Sequence, residues 1–338
     1  MASEAYRAAG VDLAAAEGAK ERIRAMAALT HGPQVLGKSG GFAGMFRLEG
    51  YSRSVLVAST DGVGTKLKVA SLLGHYESLG MDLVNLNVDD IVTCGAKPLF
   101  FLDYISVPRL DDQVLEPLIR GMVWACKEAE CALIGGETAQ SPGMYAGDQF
   151  DLAGTVVGVV EEGAAMAPSE IASGDAVLGL PSSGLHTNGF SLVRKVFNID
   201  DEPAVLYQRY DELAHTLGEE LLIPHRCYYP LLAPHYVRIK AMAHISGGGI
   251  AGNIARVLPD GVRAVVRRGT WEPQPIFELV RKAGGLDAEE MFQVFNMGIG
   301  MALVCDAAAV EPLRRALPEA KVIGEVVKGE GAPKVAIE

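Results

Sequence analysis

Asp61, Asp90 and Glu137 are the side chains of this 338-residue chain best placed to do chemistry, because each sits among residues that suit a phosphate or its metal. Asp61 begins Asp61-Gly62-Val63-Gly64-Thr65-Lys66, between the apolar run Val55–Ala58 and the helix-prone run Leu67–Leu73. A strand turning into a helix leaves free N–H groups for an anion, and Gly62 and Gly64 let the backbone approach it closely. A carboxylate there can ligate Mg²⁺, with the Thr65 hydroxyl and the Lys66 ammonium close by for a phosphate. The plainer alternative is an ordinary Asp-Gly turn. Asp90 belongs to Gly80–Gly95, a polar-rich stretch read as a helix, with Leu83, Asn87 and Asp90 on one face. Glu137 follows Gly135-Gly136, again a glycine pair and a carboxylate at an expected strand end. The chemistry these residues suit is holding a phosphate and its metal.

The elements that must hold them follow from the pattern of apolar residues. A helix is expected over 12–29, with Asp12 as its cap. The segment 32–39 matches the P-loop spacing G-x-x-x-x-G-K-[ST], but a helix precedes it where a P-loop needs a strand. It reads better as a Gly-rich flap carrying Lys38, Gly40 and Gly41 to a phosphate. Pro98–Val107 reads as a strand with Asp103 alone in its middle, a carboxylate that needs a partner if buried. Helix 111–130 and strands 131–134 and 150–160 complete the first half, and the break at 161–174 puts a domain boundary near 166/167. Two further strand–loop–helix units follow. One carries Ser182, Ser183, Gly184, His186 and Asn188, the other His244, Gly247, Gly248 and Gly249. These loops are candidates for holding substrate, and His186 and His244 for moving protons. The fold class expected is α/β of the α+β kind, with two domains (1–166 and 167–338), each a mixed sheet packed with helices.

Composition narrows the partners. The net charge of −12 lacks the basic footprint of a nucleic-acid binder. No apolar run approaches the length of a membrane helix, and the N-terminus has no apolar signal core. Five cysteines, Cys94, Cys126, Cys131, Cys227 and Cys305, form no CxxC pair, which fits a reducing, cytoplasmic setting rather than a disulfide or zinc framework.

Seven segments in one order resemble the phosphoribosylformylglycinamidine cyclo-ligases, also called aminoimidazole ribonucleotide synthetases. They are AGVD (9–12), TDGVGTKLK (60–68), PLFFLDY (98–104), GGETAQSPGMY (135–145), SSGLHTNGFSLVRK (182–195), HISGGG (244–249) and FNMGIGM (295–301). The resemblance implies a homodimer whose N-terminal sheets pair, ATP and Mg²⁺ as cofactors, and an ATP site near the dimer interface. It also implies the reaction, in which ATP and formylglycinamidine ribonucleotide give ADP, phosphate and 5-aminoimidazole ribonucleotide through an iminophosphate. Asp61, Asp90 and Glu137 would then hold the metal, and Asp61, Lys66, Asp90, His186 and His244 would serve catalysis. Lys38, Gly40, Gly41, Gly62, Gly64, Thr65, Asp103, Gly135 and Gly136 would line the nucleotide. The chain departs from the family where Asp89-Asp90 stands for the usual Asn-Asp, and where His225 and Cys227 stand in the usual Pro-Thr-Arg-Ile-Tyr. Lys38 and Ser39 also replace residues that are more often small or apolar. Other readings are a thiamine-monophosphate kinase-like enzyme, a P-loop NTPase built on 32–39, and a non-enzymatic nucleotide binder.

Overall fold

The computed structural model describes residues 13–37, 41–145, 147, 149–329, 331 and 333–338. Asp12, Lys38, Ser39 and Gly40 therefore lie outside the described residues.

Two mixed sheets organise the chain. The first has the order β3-β6-β4-β5, from β3 (Ser54–Gly62), β4 (Lys97–Val107), β5 (Ala132–Gln140) and β6 (Asp151–Glu161). Only β4 and β5 run parallel; the other pairs are antiparallel. The second uses β7 (Ala176–Pro181), β8 (Ala241–His244), β9 (Val262–Val266), β10 (Ile299–Cys305), β11 (Lys321–Lys328) and β12 (Val335–Ile337), in the order β12-β9-β11-β7-β10-β8. Its central strands β7 and β10 are almost wholly apolar and buried. A small hairpin of β1 (Val35–Leu36) and β2 (Met45–Phe46) forms the flap, so the segment with P-loop spacing is not a strand-to-helix turn.

The helices Glu77–Val92 and Asp112–Glu128 cover one face of the first sheet. Asp111 caps the second, its carboxylate accepting from the Gln113 N–H. The two helices cross on glycine. A Cβ at Gly80 would strike the Leu118 carbonyl oxygen, and a Cβ at Gly121 would strike the Glu77 carbonyl oxygen. The reciprocal absence of side chains sets how near the helix carrying Asp82, Asp89 and Asp90 lies to its neighbour. The opposite face of the sheet is more open. Leu56 is 63% exposed and Tyr104 46%, and Phe100 is half-covered by Phe46 of the flap, with ring centroids 5.6 Å apart.

Gly121→Ala should therefore destabilise the protein by about 1–3 kcal/mol or more, the range for overpacking a rigid contact. Urea unfolding measures it, and a variant as stable as the parent would refute the close crossing.

Candidate active site

β3 does not stop before the acidic motif but runs through it, so Asp61 is an in-strand residue and the turn is only Val63-Gly64-Thr65. Its side chain is exposed, with Oδ1 accepting from the Gly62 N–H at 2.7 Å. Ser59, two residues earlier on the same face, donates through Oγ to Asp90 Oδ2 at 2.8 Å. Asn87 Nδ2 donates to the Asp61 carbonyl at 3.3 Å. Asp61 and Asp90 thus lie near one another on this side of the sheet. His244, at the end of β8, reaches across from the second sheet to Asp90 with Nδ1 and Oδ1 2.8 Å apart. Burial works to raise the Asp90 carboxyl, but the His244 and Ser59 hydrogen bonds outweigh it and hold the group below the usual range.

Lys66 does not face a phosphate. Its side chain is 0% exposed, and Nζ lies 2.8 Å from Asp82 Oδ2. The ammonium also donates to the carbonyls of Ile223 at 2.9 Å and His186 at 3.2 Å. The helix begins at Lys66, and that first turn directs the side chain inward rather than into the loop. Burial lowers the Lys66 ammonium and raises the Asp82 carboxyl, opposed in each case by the partner's charge. Thr65 does remain exposed, with its Oγ1 3.1 Å from Ser191 Oγ.

The loops of the second half meet this seam. His186 is buried in a left-handed backbone conformation, and its Nε2 accepts from the Ser183 N–H at 3.1 Å. The ring stacks on His225 with centroids 3.9 Å apart. Burial, then the charge of neighbouring cations, pushes His186 well below its ordinary value, so it stands neutral. Ser182 and Ser183 are not free for substrate in this geometry. Ser182 Oγ donates to Asn296, Ser183 Oγ to the Pro224 carbonyl, and Asn296 Nδ2 to the Gly184 carbonyl. What the loops leave open is Gly247, Gly248 and the half-buried Asn188 beside them, with Asn253 Nδ2 gripping the Ser246, Gly247 and Gly249 carbonyls.

Glu137 stands elsewhere. Asp61, Gly154, Asp103 and Gly136 form one row across the four strands. Three strand spacings put Gly136 roughly 14 Å from Asp61, and alternation turns Glu137 to the opposite face. The three acids expected around one metal are therefore two at the seam and one apart within a chain. Glu137 instead lines a cleft of about 780 Å³ with Gly41, Asp103, Gly135, Gly136, Lys20 and Arg24. Gly136 is required there, since a Cβ would collide with the Asp103 carboxylate. Burial pushes the Asp103 carboxyl up to about 7, with Glu137 adding to the shift.

The helix Glu77–Val92 carries more of the site than its 83/87/90 face. Asp82 accepts from the His225 N–H at 2.7 Å, Asn85 donates to the His225 carbonyl at 2.6 Å, and Asp89 accepts from the Tyr228 N–H at 2.8 Å. His225 Nε2 lies 3.2 Å from Asp89 Oδ2, so two departures from the family pattern meet as one pair. The signal for this face was the i, i+3, i+7 spacing of Asp82, Asn85 and Asp89.

Two family models match, described as AIR synthase related protein, N-terminal domain over residues 40–160, and C-terminal domain over 172–335. Fold and site together thus define a two-domain AIR synthase related protein. Phosphoribosylformylglycinamidine cyclo-ligases of Geobacillus thermodenitrificans and Brevibacillus brevis are 47% and 45% identical to it, each over 97% of both chains. That of Myxococcus xanthus is 46% identical over 98% of this chain and 99% of its own. The chain belongs to the phosphoribosylformylglycinamidine cyclo-ligase family. Solved structures of the same fold include a thiamine-monophosphate kinase from Stenotrophomonas maltophilia (TM-score 0.68, 19% identity, 94% of this chain and 95% of that one). The hydrogenase maturation protein HypE in complex with ATP is another (TM-score 0.65, 16% identity, 94% and 90%). At these identities the likeness is one of fold.

Because the folded Asp103 holds its proton more tightly than an unfolded Asp, its contribution favours folding at low pH and fades as pH rises toward about 7. Asp103→Asn should therefore lose less stability than the parent between pH 5 and pH 8. Urea unfolding at the two pH values checks this, and parallel losses in both proteins would exclude it.

Proposed function

We infer that this chain closes formylglycinamidine ribonucleotide to 5-aminoimidazole ribonucleotide, with ATP converted to ADP and phosphate, a carbon–nitrogen ligation of purine biosynthesis. The observation that carries this reading is 45–47% identity, over 97% of the chain, to relatives bearing the cyclo-ligase name.

The chemistry sets what the site must supply. The formyl amide oxygen is a poor leaving group. Transfer of the γ-phosphoryl group forms an O–P bond as the bond to ADP breaks, giving an iminophosphate. A nitrogen of the same molecule adds to that carbon, phosphate departs with its oxygen, and the nitrogen gives up a proton. Even a 10⁶-fold acceleration needs only about 8 kcal/mol of differential stabilisation. The hard oxygen donors of Asp61 and Asp90, side by side with Asp61 exposed, suit Mg²⁺. Bound Mg²⁺ supplies charge neutralisation for the triphosphate. His244 Nε2 is buried without a hydrogen-bond partner while Nδ1 is held by Asp90. That polarity suits it to accept the proton released on ring closure. Thr65 and the glycine turn at 62–64 lie against the triphosphate path, and Asn188, Gly247 and Gly248 hold the ribose phosphate. The 780 Å³ cleft, of a size to take a nucleotide, accommodates ATP beside Gly135, Gly136, Asp103 and Glu137.

Two chains pair through the uncovered face of the first sheet. The support is its exposed apolar surface, which includes Leu56 and Tyr104. The compartment is the cytoplasm, supported by five unpaired cysteines. Among the described residues no helix is long and apolar enough to cross a membrane.

Asp61→Asn should remain folded and lose phosphate release from ATP by at least a hundredfold when given formylglycinamidine ribonucleotide and Mg²⁺. Normal turnover in that assay would remove Asp61 from the metal site. Leu56→Asp should convert a dimer to a monomer in sedimentation velocity, and an unchanged dimer would place the interface elsewhere.

A further inference from the structure

His186, His225 and His244 converge from three separate segments, with ligand atoms all within 4.8 Å of one another. All three rings are buried, and in each a nitrogen has no hydrogen-bond partner: Nδ1 of His186, Nδ1 of His225 and Nε2 of His244. The three rings form one buried cluster and each keeps a nitrogen without a partner, a setting that suits an occupant, since buried polar atoms are otherwise paired. We propose that these three histidines form a binding site for a divalent transition-metal ion of the zinc class, distinct from the carboxylate site for Mg²⁺.

The second nitrogens support this. His244 Nδ1 is held by Asp90 at 2.8 Å and His225 Nε2 lies 3.2 Å from Asp89. A carboxylate on the far nitrogen is the usual partner of a metal-bound histidine, fixing the ring and keeping its remaining proton away from the ion. With metal on Nδ1, His225 keeps its proton on Nε2, where Asp89 accepts it. His186 starts from the other tautomer, because its Nε2 accepts from the Ser183 N–H. An ion at Nδ1 moves that proton to Nε2, and the ring gives up the Ser183 bond. Bonds of about 2.0–2.1 Å in a tetrahedral site put ligand nitrogens roughly 3.4 Å apart, so the rings close by about an ångström. Burial holds His186 and His225 neutral, so protons do not compete for their lone pairs. Three imidazoles select zinc, cobalt, nickel or copper over Mg²⁺, which prefers oxygen donors. An ion there occupies His244 Nε2 and so slows turnover, a consequence that rests on the ring-closure reading; the binding itself does not.

The test is Co²⁺ titrated into the chelator-treated full-length protein in excess Mg²⁺. The expected result is one ion per chain, with the intense visible absorption of four-coordinate Co²⁺, displaced by Zn²⁺. His225→Thr should weaken binding at least tenfold, with folding checked by thermal melting. No band, or equal affinity in His225→Thr, overturns the proposal. Should that variant unfold, a Zn²⁺-soaked crystal of the parent protein decides: anomalous density among the three rings upholds the site, and a peak without anomalous signal, a buried water, removes it. Turnover unaffected by bound Zn²⁺ would count against the role given to His244 while leaving the site intact.

Discussion

The buried ion pair of Lys66 and Asp82 is the contact on which the arrangement of the molecule depends. Both side chains are wholly excluded from solvent, yet the ammonium has three partners: the carboxylate and the carbonyls of His186 and Ile223. Placing two charges in such a setting costs several kcal/mol each, and an apolar pair of equal volume is often no less stable. What an apolar pair could not do is seek two carbonyls on loops of the second half. The pair therefore acts through registration. It fixes the turn after Asp61 against the loop containing His186, and so sets where the seam lies.

The helix Glu77–Val92 then works on two fronts. Asp82, Asn85 and Asp89 grip the backbone of residues 225–228, while Asp90, one position on, faces Ser59 and His244. A helix advances 100° per residue, so adjacent carboxylates can serve opposite tasks: Asp89 inward as a structural acceptor, Asp90 toward the seam. Burial raises Asp89 well above its ordinary value, whereas Asp90 is depressed by its hydrogen-bond donors. Two neighbouring acids are thus shifted in opposite directions because their surroundings differ.

Much of this was legible in the residues themselves. Alternating or continuous apolar runs marked most strands of both sheets, and the structure places Asp61 near Asp90. What failed had a common cause, namely that sequence spacing does not report which way a side chain points. The motif around Lys66 reads as an anion loop, but the first helical turn aims that side chain into the core. Gly135-Gly136-Glu137 reads as a strand end, but β5 continues through it to Gln140, which turns Glu137 away from Asp61. Asp89 and His225 lie 136 residues apart, and only the fold shows them as one pair. The serines of 182–183 have the composition of a binding loop, yet their hydroxyls brace the loop itself.

With Lys66 committed to the interior, the positive charge for a triphosphate has to come from elsewhere in a chain of net charge −12. Lys68 is held by Asp200 at 3.1 Å, which leaves it little freedom to turn toward the seam. Lys20 and Arg24, on the helix Leu13–Ala27, both line the cleft, and the Arg24 guanidinium meets Glu17 only at 3.6 Å. Charges more than about 8 Å apart in solvent are screened at physiological salt, so the overall acidity does not prevent these local cations from acting. On the proposed reading the nucleotide would enter beside the first helix, and its phosphates would meet Asp61 and Asp90 together with Mg²⁺. The separation keeps Lys20 and Arg24 away from Asp61 and Asp90, so that neither pair neutralises the other, while Asp103 and Glu137 are the acids that share the cleft with the two cations.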